Sequence, residues 1–364
     1  MEANKTAAAA AASGASSATP PAKLKRIKNS KGISGSSFDS WKAWIYLAPA
    51  IILLLIFTVY PIFNTVRIAF LENYNYKLAN DGTKFNFNLT NFVDVVKPLA
   101  GEPNPETGEI VVTPSIFLQY TKNTLILCFT TVPISTFLAL IIAVCLNSIK
   151  FLRKFLQTVF FMPYVTNSIA IGMVFSTMFS IIGQKPDIND STSLGIVNNF
   201  LGIFGIDPIN WMGNNSSYMS NMIVLIIYIV WNALPFKILI LLGGLQSVNK
   251  QYYEAAKIDS TPKVRVFTRI TVPLLSPMIA YVIITGFIGG FKEYSSVIGV
   301  FGEDAKSAGG RSLNTIVGYI YESLGKTGAT ANHGEASAAA LILFAMIFLV
   351  TMVNLYVSNK KTHY

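Results

Sequence analysis

The sequence predicts an all-α integral membrane protein with six transmembrane helices, and three observations carry that prediction. Of the 364 residues, 52% are hydrophobic and only 13% charged, and the mean hydropathy is +0.49. A soluble domain carries about a quarter charged residues, so half that density leaves too little polar surface to face water. Six stretches, at residues 44–66, 121–147, 155–181, 219–245, 272–298 and 336–358, reach the about 20 largely apolar residues that a spanning helix needs. No alternation of period two at barrel-strand length is present, which selects helices over a β-barrel.

Residues 1–37 differ in composition from the rest of the chain. An Ala/Ser/Thr/Pro-rich stretch leads into Lys23, Lys25, Arg26, Lys28 and Lys31. Alanine is too weakly apolar for a signal-peptide core, and the basic run lies on the wrong side of it. The composition predicts a disordered basic tail, with residues 38–364 as the membrane domain. Charge then orients the spans. With the N-terminus in the cytoplasm, the inside segments hold seventeen Lys and Arg against four acidic residues, and the outside segments hold eight against twelve. This positive-inside asymmetry puts both termini in the cytoplasm. It accounts for the net charge of +10 without a nucleic-acid partner. Cys128, Cys145, His333 and His363 are the only cysteines and histidines, too few for a disulfide framework or a Cys/His zinc site.

The outer connections are unequal. Residues 67–120 are long enough for a small outer cap, with a Gly/Pro/Glu turn cluster at 101–108. The next loop carries an amphipathic helix at 195–205 and a turn at 208–211. The third, 299–334, is Gly-rich and should hold a short helix around 312–321.

One cytoplasmic connection, residues 246–272, is far longer than a plain loop needs to be. Tyr252–Asp259 suits a short amphipathic helix, Ser260 and Thr261 break it, and Thr261-Pro262 reads as an N-cap followed by proline at the first position of a second short helix, 263–270. Two short helices at an angle make a rigid elbow. The string Glu254-Ala255-Ala256, three residues, Ser260, nine residues, Ile270, one residue, Val272-Pro273 resembles the EAA loop of ATP-binding-cassette importer permeases, whose pattern is E-A-A-x3-G-x9-I-x-L-P. The stretches LAPAIILLLIFTVYPI, KNTLILC, FFMPYVTNSIAIGMVF, NNFLGIFGIDPINWM and GEASAAALILFAMIFLVT extend the likeness over residues 44–358. They are similar to the maltose and glycerol-3-phosphate branch of sugar permeases. Ser260 for Gly and Val272 for Leu are the two departures. Glycine relieves about 1 kcal/mol of strain at positive φ, so Ser260 suggests a slightly different turn.

The resemblance implies the type I importer permease fold, with the elbow as the coupling helix that docks on a cytoplasmic ATPase subunit. It assigns Glu254 a polar contact to that subunit, Ala255 and Ala256 close packing, and Asp259 and Ser260 the turn. It also implies a second homologous permease, two ATP-binding subunits, an extracellular solute-binding protein and a carbohydrate substrate in a bacterial cytoplasmic membrane. The chain is expected to bind no cofactor itself, leaving ATP and Mg to its partners. Gly325-Lys326-Thr327 imitates the tail of a phosphate-binding loop, but Ile320 stands where its first glycine belongs. A separate subunit must therefore hydrolyse ATP.

Polar residues inside spans mark function by default. Tyr164 and Asn167 in the third stretch, Trp231 and Asn232 in the fourth, and Lys292, Glu293 and Tyr294 in the fifth are the aromatic, amide and charged groups that a sugar path would use. Other readings remain open here. Lys292 and Glu293 also suit an inter-helix ion pair, Trp231 suits packing, and Lys237 suits snorkelling to the membrane surface. The alternatives to a di- or oligosaccharide importer are a glycerol-3-phosphate or sugar-phosphate permease of the same ATP-driven kind, for which no arginine lies inside a span, and an ATP-independent secondary transporter. The latter would show inverted repeats and several embedded carboxylates. No nucleophile or paired-carboxylate set for a membrane enzyme is evident.

Overall fold

The computed structural model describes residues 37–74, 82, 84–103, 110–149, 153–179, 195–212, 216–302, 305, 312–325 and 332–361. The expected basic tail lies outside them, as does most of the 101–108 turn cluster. The chain divides into two compact units, Met1–Pro61 and Ile62–Tyr364.

In the first unit, α1 (Ser37–Leu54) runs into a π-helical turn, Leu55–Val59, and on into α2 (Tyr60–Ala69). The π turn has a cause. Pro61 has no N–H and its ring crowds the carbonyl four residues back, and widening the preceding turn relieves that clash. Between Trp44 and Tyr60 no described residue is buried, and Tyr46 and Phe57 are 85% and 73% exposed. A helix so apolar and uncovered needs lipid or another chain around it.

The second unit begins within α2 and continues through α3 (Thr90–Val96) to a two-stranded antiparallel hairpin, β1 (Leu99–Pro103) with β2 (Ile110–Thr113), paired Leu99 to Thr113. This small hairpin in the outer loop adds a feature that the reading of spans did not include. Asn91 ties α3 to the end of α2 by donating to the carbonyls of Ala69 and Leu71.

Next come α4 (Ile116–Ser148), α5 (Arg153–Val165), α6 (Ser168–Phe179), α7 (Ile196–Gly202) and α8 (Tyr218–Ser247). The elbow holds α9 (Lys250–Ile258), α10 (Lys263–Val266) and a second π turn, Phe267–Thr271, leading into α11 (Val272–Leu274). Like the first, that turn sits just ahead of a proline, Pro273. The chain then forms α12 (Ser276–Phe291), α13 (Ser295–Phe301), α14 (Ile316–Ser323) and α15 (His333–Lys361).

Among the described residues, four helices are long and apolar enough to cross a membrane: Trp44–Ala69, Ile116–Ser148, Tyr218–Ser247 and His333–Ser358. Two bent pairs bring the number to six if each is one span. Phe155–Val165 meets Ser168–Phe179 at 99°, and Lys263–Leu274 meets Ser276–Phe291 at 69°. The third and fifth stretches are thus not the straight helices that hydropathy suggests. The first break is made by side chains. Thr166 Oγ1 donates to Met162 O, and Asn167 Oδ1 accepts from Ile169 N, starting a new helix in a new direction. The fifth stretch also stops early, after Phe291. Glu293 accepts from Ser296 N and so caps the separate helix α13.

The core of this unit is α4 packed on α8, with α12 against α4. Leu127, Leu225 and Tyr228 are buried in one cluster and Leu140, Leu241 and Leu275 in another. Small residues let helices approach, as is usual in membranes. A Cβ built on Gly172 of α6 would lie 2.7 Å from the backbone of Gly299 in α13, so these two helices touch backbone to backbone. Outer segments are stitched by buried asparagines. Asn123 donates to the carbonyls of Ser312 and Asn314 and accepts from Tyr218. Asn198 exchanges bonds with Ile209 and accepts from Trp211 Nε1, which fixes the expected helix and turn of the second outer loop.

Candidate functional site

Where the third stretch bends and the fifth one ends, the second unit encloses a cavity of about 400 Å³, within the about 300–1,000 Å³ range of small-molecule sites. Its polar wall comes from five helices and a cap. Thr131 and Ser135 belong to α4, Tyr164 to α5, Ser168 to α6, Asn232 and Lys237 to α8, and Thr285 to α12, with Glu293 just beyond α12. Each helix break contributes directly: Tyr164 and Ser168 flank the first, and Glu293 follows the second.

Among the residues predicted for a substrate path, the cavity brings together Tyr164, Asn232 and Glu293. The Tyr164 ring stacks on Phe236, with centroids 5.9 Å apart and planes inclined by 20°, which gives an aromatic edge beside the polar groups. The side chain of Asn232 donates to Ser168 Oγ at 3.3 Å, a long bond that a ligand hydroxyl can replace. Tyr228, fully buried behind it, donates to the Ser168 carbonyl.

The other predicted path residues lie outside the cavity wall, and each has a local role. Asn167 caps α6. Trp231 packs on Phe175 at 5.1 Å within an apolar cluster, so packing rather than a sugar platform describes it. Lys292 is exposed at the end of α12. Tyr294 stacks on Tyr321 at 4.6 Å. Lys292 and Glu293 do not form an ion pair, because they are adjacent at a helix end and Glu293 turns to cap α13.

Lys237 is the residue that sequence reasoning misjudged. It does not snorkel. It is 5% exposed, and its ammonium donates to Val132 O (3.2 Å), Ser135 Oγ (2.7 Å) and Thr136 Oγ1 (3.0 Å), all on one turn of α4. The legible signal was the polar cluster Thr131, Ser135 and Thr136 in the second span, of which the first two, four residues apart, share a face.

The elbow presents a different surface. Asn249 Oδ1 accepts from Gln251 N and caps α9. Pro262 takes the cap position of α10, so the second helix starts one residue later than expected. Ser260 adopts φ +50, and Ser260 N and Thr261 N donate back to Lys257 O and Ala256 O. The turn is therefore the left-handed one that favours glycine, made here by serine, rather than a different turn. Glu254, Ala255, Asp259 and Ser260 are exposed, whereas Ala256 is 6% exposed and packs inside the chain. Ala256 thus packs within this chain, while Ala255 faces outward. Tyr252, Ile258 and Val264 are 54%, 84% and 75% exposed, an apolar face on the elbow that the motif alone did not reveal. Lys250, Lys257, Lys263, Arg265 and Arg269 surround it, all exposed.

The chain is 34% identical over 254 residues to the arabinooligosaccharides transport system permease protein AraP of Halalkalibacterium halodurans, covering 68% of this chain and 73% of that one. It is 27% identical to the lactose transport system permease protein LacF of Rhizobium radiobacter, over 87% of this chain and 94% of the relative. In fold it matches a chain of the crystal structure of a bacterial ABC transporter involved in import of the acidic polysaccharide alginate, with a TM-score of 0.68 at 21% identity over 90% of this chain and 98% of the other. The profile of one family, the inner membrane component of binding-protein-dependent transport systems, covers residues 124–363. With that match over most of its length, the chain belongs to the family of inner membrane components of binding-protein-dependent transport systems.

Proposed function

We propose that this chain is the permease subunit of an ATP-driven importer that carries a carbohydrate, a di- or oligosaccharide, across the cytoplasmic membrane by alternating access. The observation that carries this reading is the cavity at the two helix breaks. It joins the Tyr164–Phe236 aromatic pair to Asn232 and Glu293 in a chain whose relatives include arabinooligosaccharide and lactose permeases. Aromatic faces cover the apolar faces of sugar rings, while amides and carboxylates bond their hydroxyls in pairs. Tyr164, Asn232 and Glu293 are the residues assigned to substrate. Asn167, Trp231, Lys292 and Tyr294 support the cavity from behind or beside it.

The elbow supplies the coupling. Its exposed Glu254, Ala255, Asp259 and Ser260, with the apolar Ile258 and Val264 beside them, form a compact knob for a cytoplasmic ATP-binding subunit. The elbow joins the ends of α8 and α12, both of which line the cavity. A push on the knob therefore reaches the substrate through two rigid helices, as alternating access requires. In this reading two such ATPase subunits hydrolyse ATP with Mg, a second permease completes the pathway, and an extracellular solute-binding protein delivers the sugar. Both termini are cytoplasmic.

The test is purification of the chain with its neighbours in detergent, followed by ATPase and uptake measurements over a panel of oligosaccharides. An ATPase that copurifies and is stimulated by one of these sugars supports the proposal. A chain that moves solute with no ATPase present would overturn it.

A further inference from the structure

Lys237 raises a problem of cost. A cation within a membrane span is expensive, and such residues persist only where they pair or serve a pathway. Here no carboxylate pairs with it among the described residues. Its three partners are neutral oxygens of α4. Val132 O can only accept, and Ser135 Oγ and Thr136 Oγ1, which reach the backbone carbonyls of Thr131 and Val132, can accept as well. Three acceptors around one nitrogen suit an ammonium, and no carboxylate stands beside it among the described residues.

The seat for that ammonium is built. A Cβ on Gly286 of α12 would lie 3.2 Å from Lys237 Nζ and 3.0 Å from Val132 Cγ1. A residue without a side chain lets α12 close tightly over the charge. Lys237 also lines the cavity, as does Glu293, seven residues further along the chain than Gly286. Glu293 follows the end of α12, on the side of Gly286 away from the elbow. A cation drawn in beside Glu293 must pass the fixed positive charge before it reaches the elbow end.

We propose that Lys237 is the cation barrier of the pathway, a fixed ammonium that repels alkali cations while leaving uncharged polyhydroxyl substrates free to pass. A cavity wide enough for a sugar also holds water, and a water-filled path without such a charge would dissipate ion gradients whenever it opened. A fixed positive charge at a constriction is an effective barrier of this kind. The inference rests on the importer reading above, and the test keeps the two apart.

The complete transporter is reconstituted in liposomes loaded with potassium chloride, and potassium release and sugar uptake are measured in the same preparation while ATP is supplied. Wild type and Lys237→Arg should hold potassium. Lys237→Met and Lys237→Gln should release it at least tenfold faster. Gly286→Ala, which presses on the ammonium but keeps the charge, should stay tight. Tight Lys237→Met and Lys237→Gln vesicles would overturn the barrier. So would a Gly286→Ala leak equal to theirs, which would make packing the cause. If one of the two charge-removing variants fails to assemble, the other decides. Absence of sugar uptake by the wild type would instead count against the importer reading, and the potassium result would still be scored by itself.

Discussion

At the elbow, Glu254, Ala255, Asp259 and Ser260 point outward, and no hydrogen bond or ion pair of the Glu254 side chain is found among the described residues. In the cavity the reverse holds. Lys237 spends all three donors on α4, Glu293 caps α13, and Asn232 reaches Ser168. The difference teaches where function can be read. An exposed polar group that bonds nothing in its own fold is free to meet a partner, and the proposed coupling role of the elbow rests on such groups. Cavity groups do two jobs at once, and only their geometry separates the ones that face a ligand from the ones that hold a helix.

The sharpest way to break this contrast is to remove one group from each region. Glu254→Ala leaves folding untouched, because the side chain is exposed and makes no bond among the described residues. Sugar uptake and sugar-stimulated ATPase activity should nevertheless fall to background, with normal amounts of the chain in the membrane. Uptake at the wild-type rate would show that the elbow is not where ATP hydrolysis is felt.

Glu293→Gln probes the other side. It keeps the shape and an oxygen to accept from Ser296 N, but removes the charge. Glutamine still offers an acceptor, so only the extra strength of a bond to a charged group, about 1–1.5 kcal/mol, is lost, and uptake should weaken about 5- to 10-fold if a sugar hydroxyl bonds this carboxylate. A stability change with unaltered uptake would confine Glu293 to its capping role.

The same contrast explains what was legible in the sequence. The elbow was legible almost residue by residue, since its motif fixes a turn and a spacing that no neighbouring element alters. Which of its two alanines faces inward, Ala256, is decided by packing that spacing cannot encode. Six apolar stretches were legible as well, from length and composition. The bend in the third stretch and the early end of α12 were not, because hydropathy averages over Thr166-Asn167 and over Lys292–Tyr294, short polar steps whose capping bonds redirect the chain. Those breaks form the cavity. Missing them is why Asn167, Lys292 and Tyr294 looked like path residues and why Lys237 did not.

Backbone contact beside the cavity gives a third, smaller effect. Gly172→Ala places a methyl group 2.7 Å from the Cα and carbonyl carbon of Gly299. Backbone cannot rotate aside as a side chain can, so α6 and α13 must separate. Overpacking of this sort costs about 1–3 kcal/mol, read as a lower midpoint of thermal unfolding in detergent. Gly243→Ala has nothing within 4 Å and serves as the control. Equal midpoints for the two variants would mean that the α6–α13 contact is not tight in the folded chain.

The smallest effect returns to the elbow. Ser260 holds φ +50 at the end of α9, where an L residue other than glycine is strained by about 1–2 kcal/mol. Glycine would remove that strain but lose about 0.5–1 kcal/mol to the greater freedom of its unfolded chain, so Ser260→Gly should stabilise by about 0.5 kcal/mol. Ser260→Val should destabilise by more than that, because a β-branched side chain is a genuine outlier at positive φ. Uptake should stay unchanged in the glycine variant, since the turn keeps its shape and the Ser260 N and Thr261 N bonds to Lys257 O and Ala256 O remain. If glycine instead lowered uptake while raising stability, the serine hydroxyl itself would be a contact to the ATPase subunit. The elbow's exposed polar set would then extend from Glu254 to the turn, one more group left unused by the fold and kept for a partner.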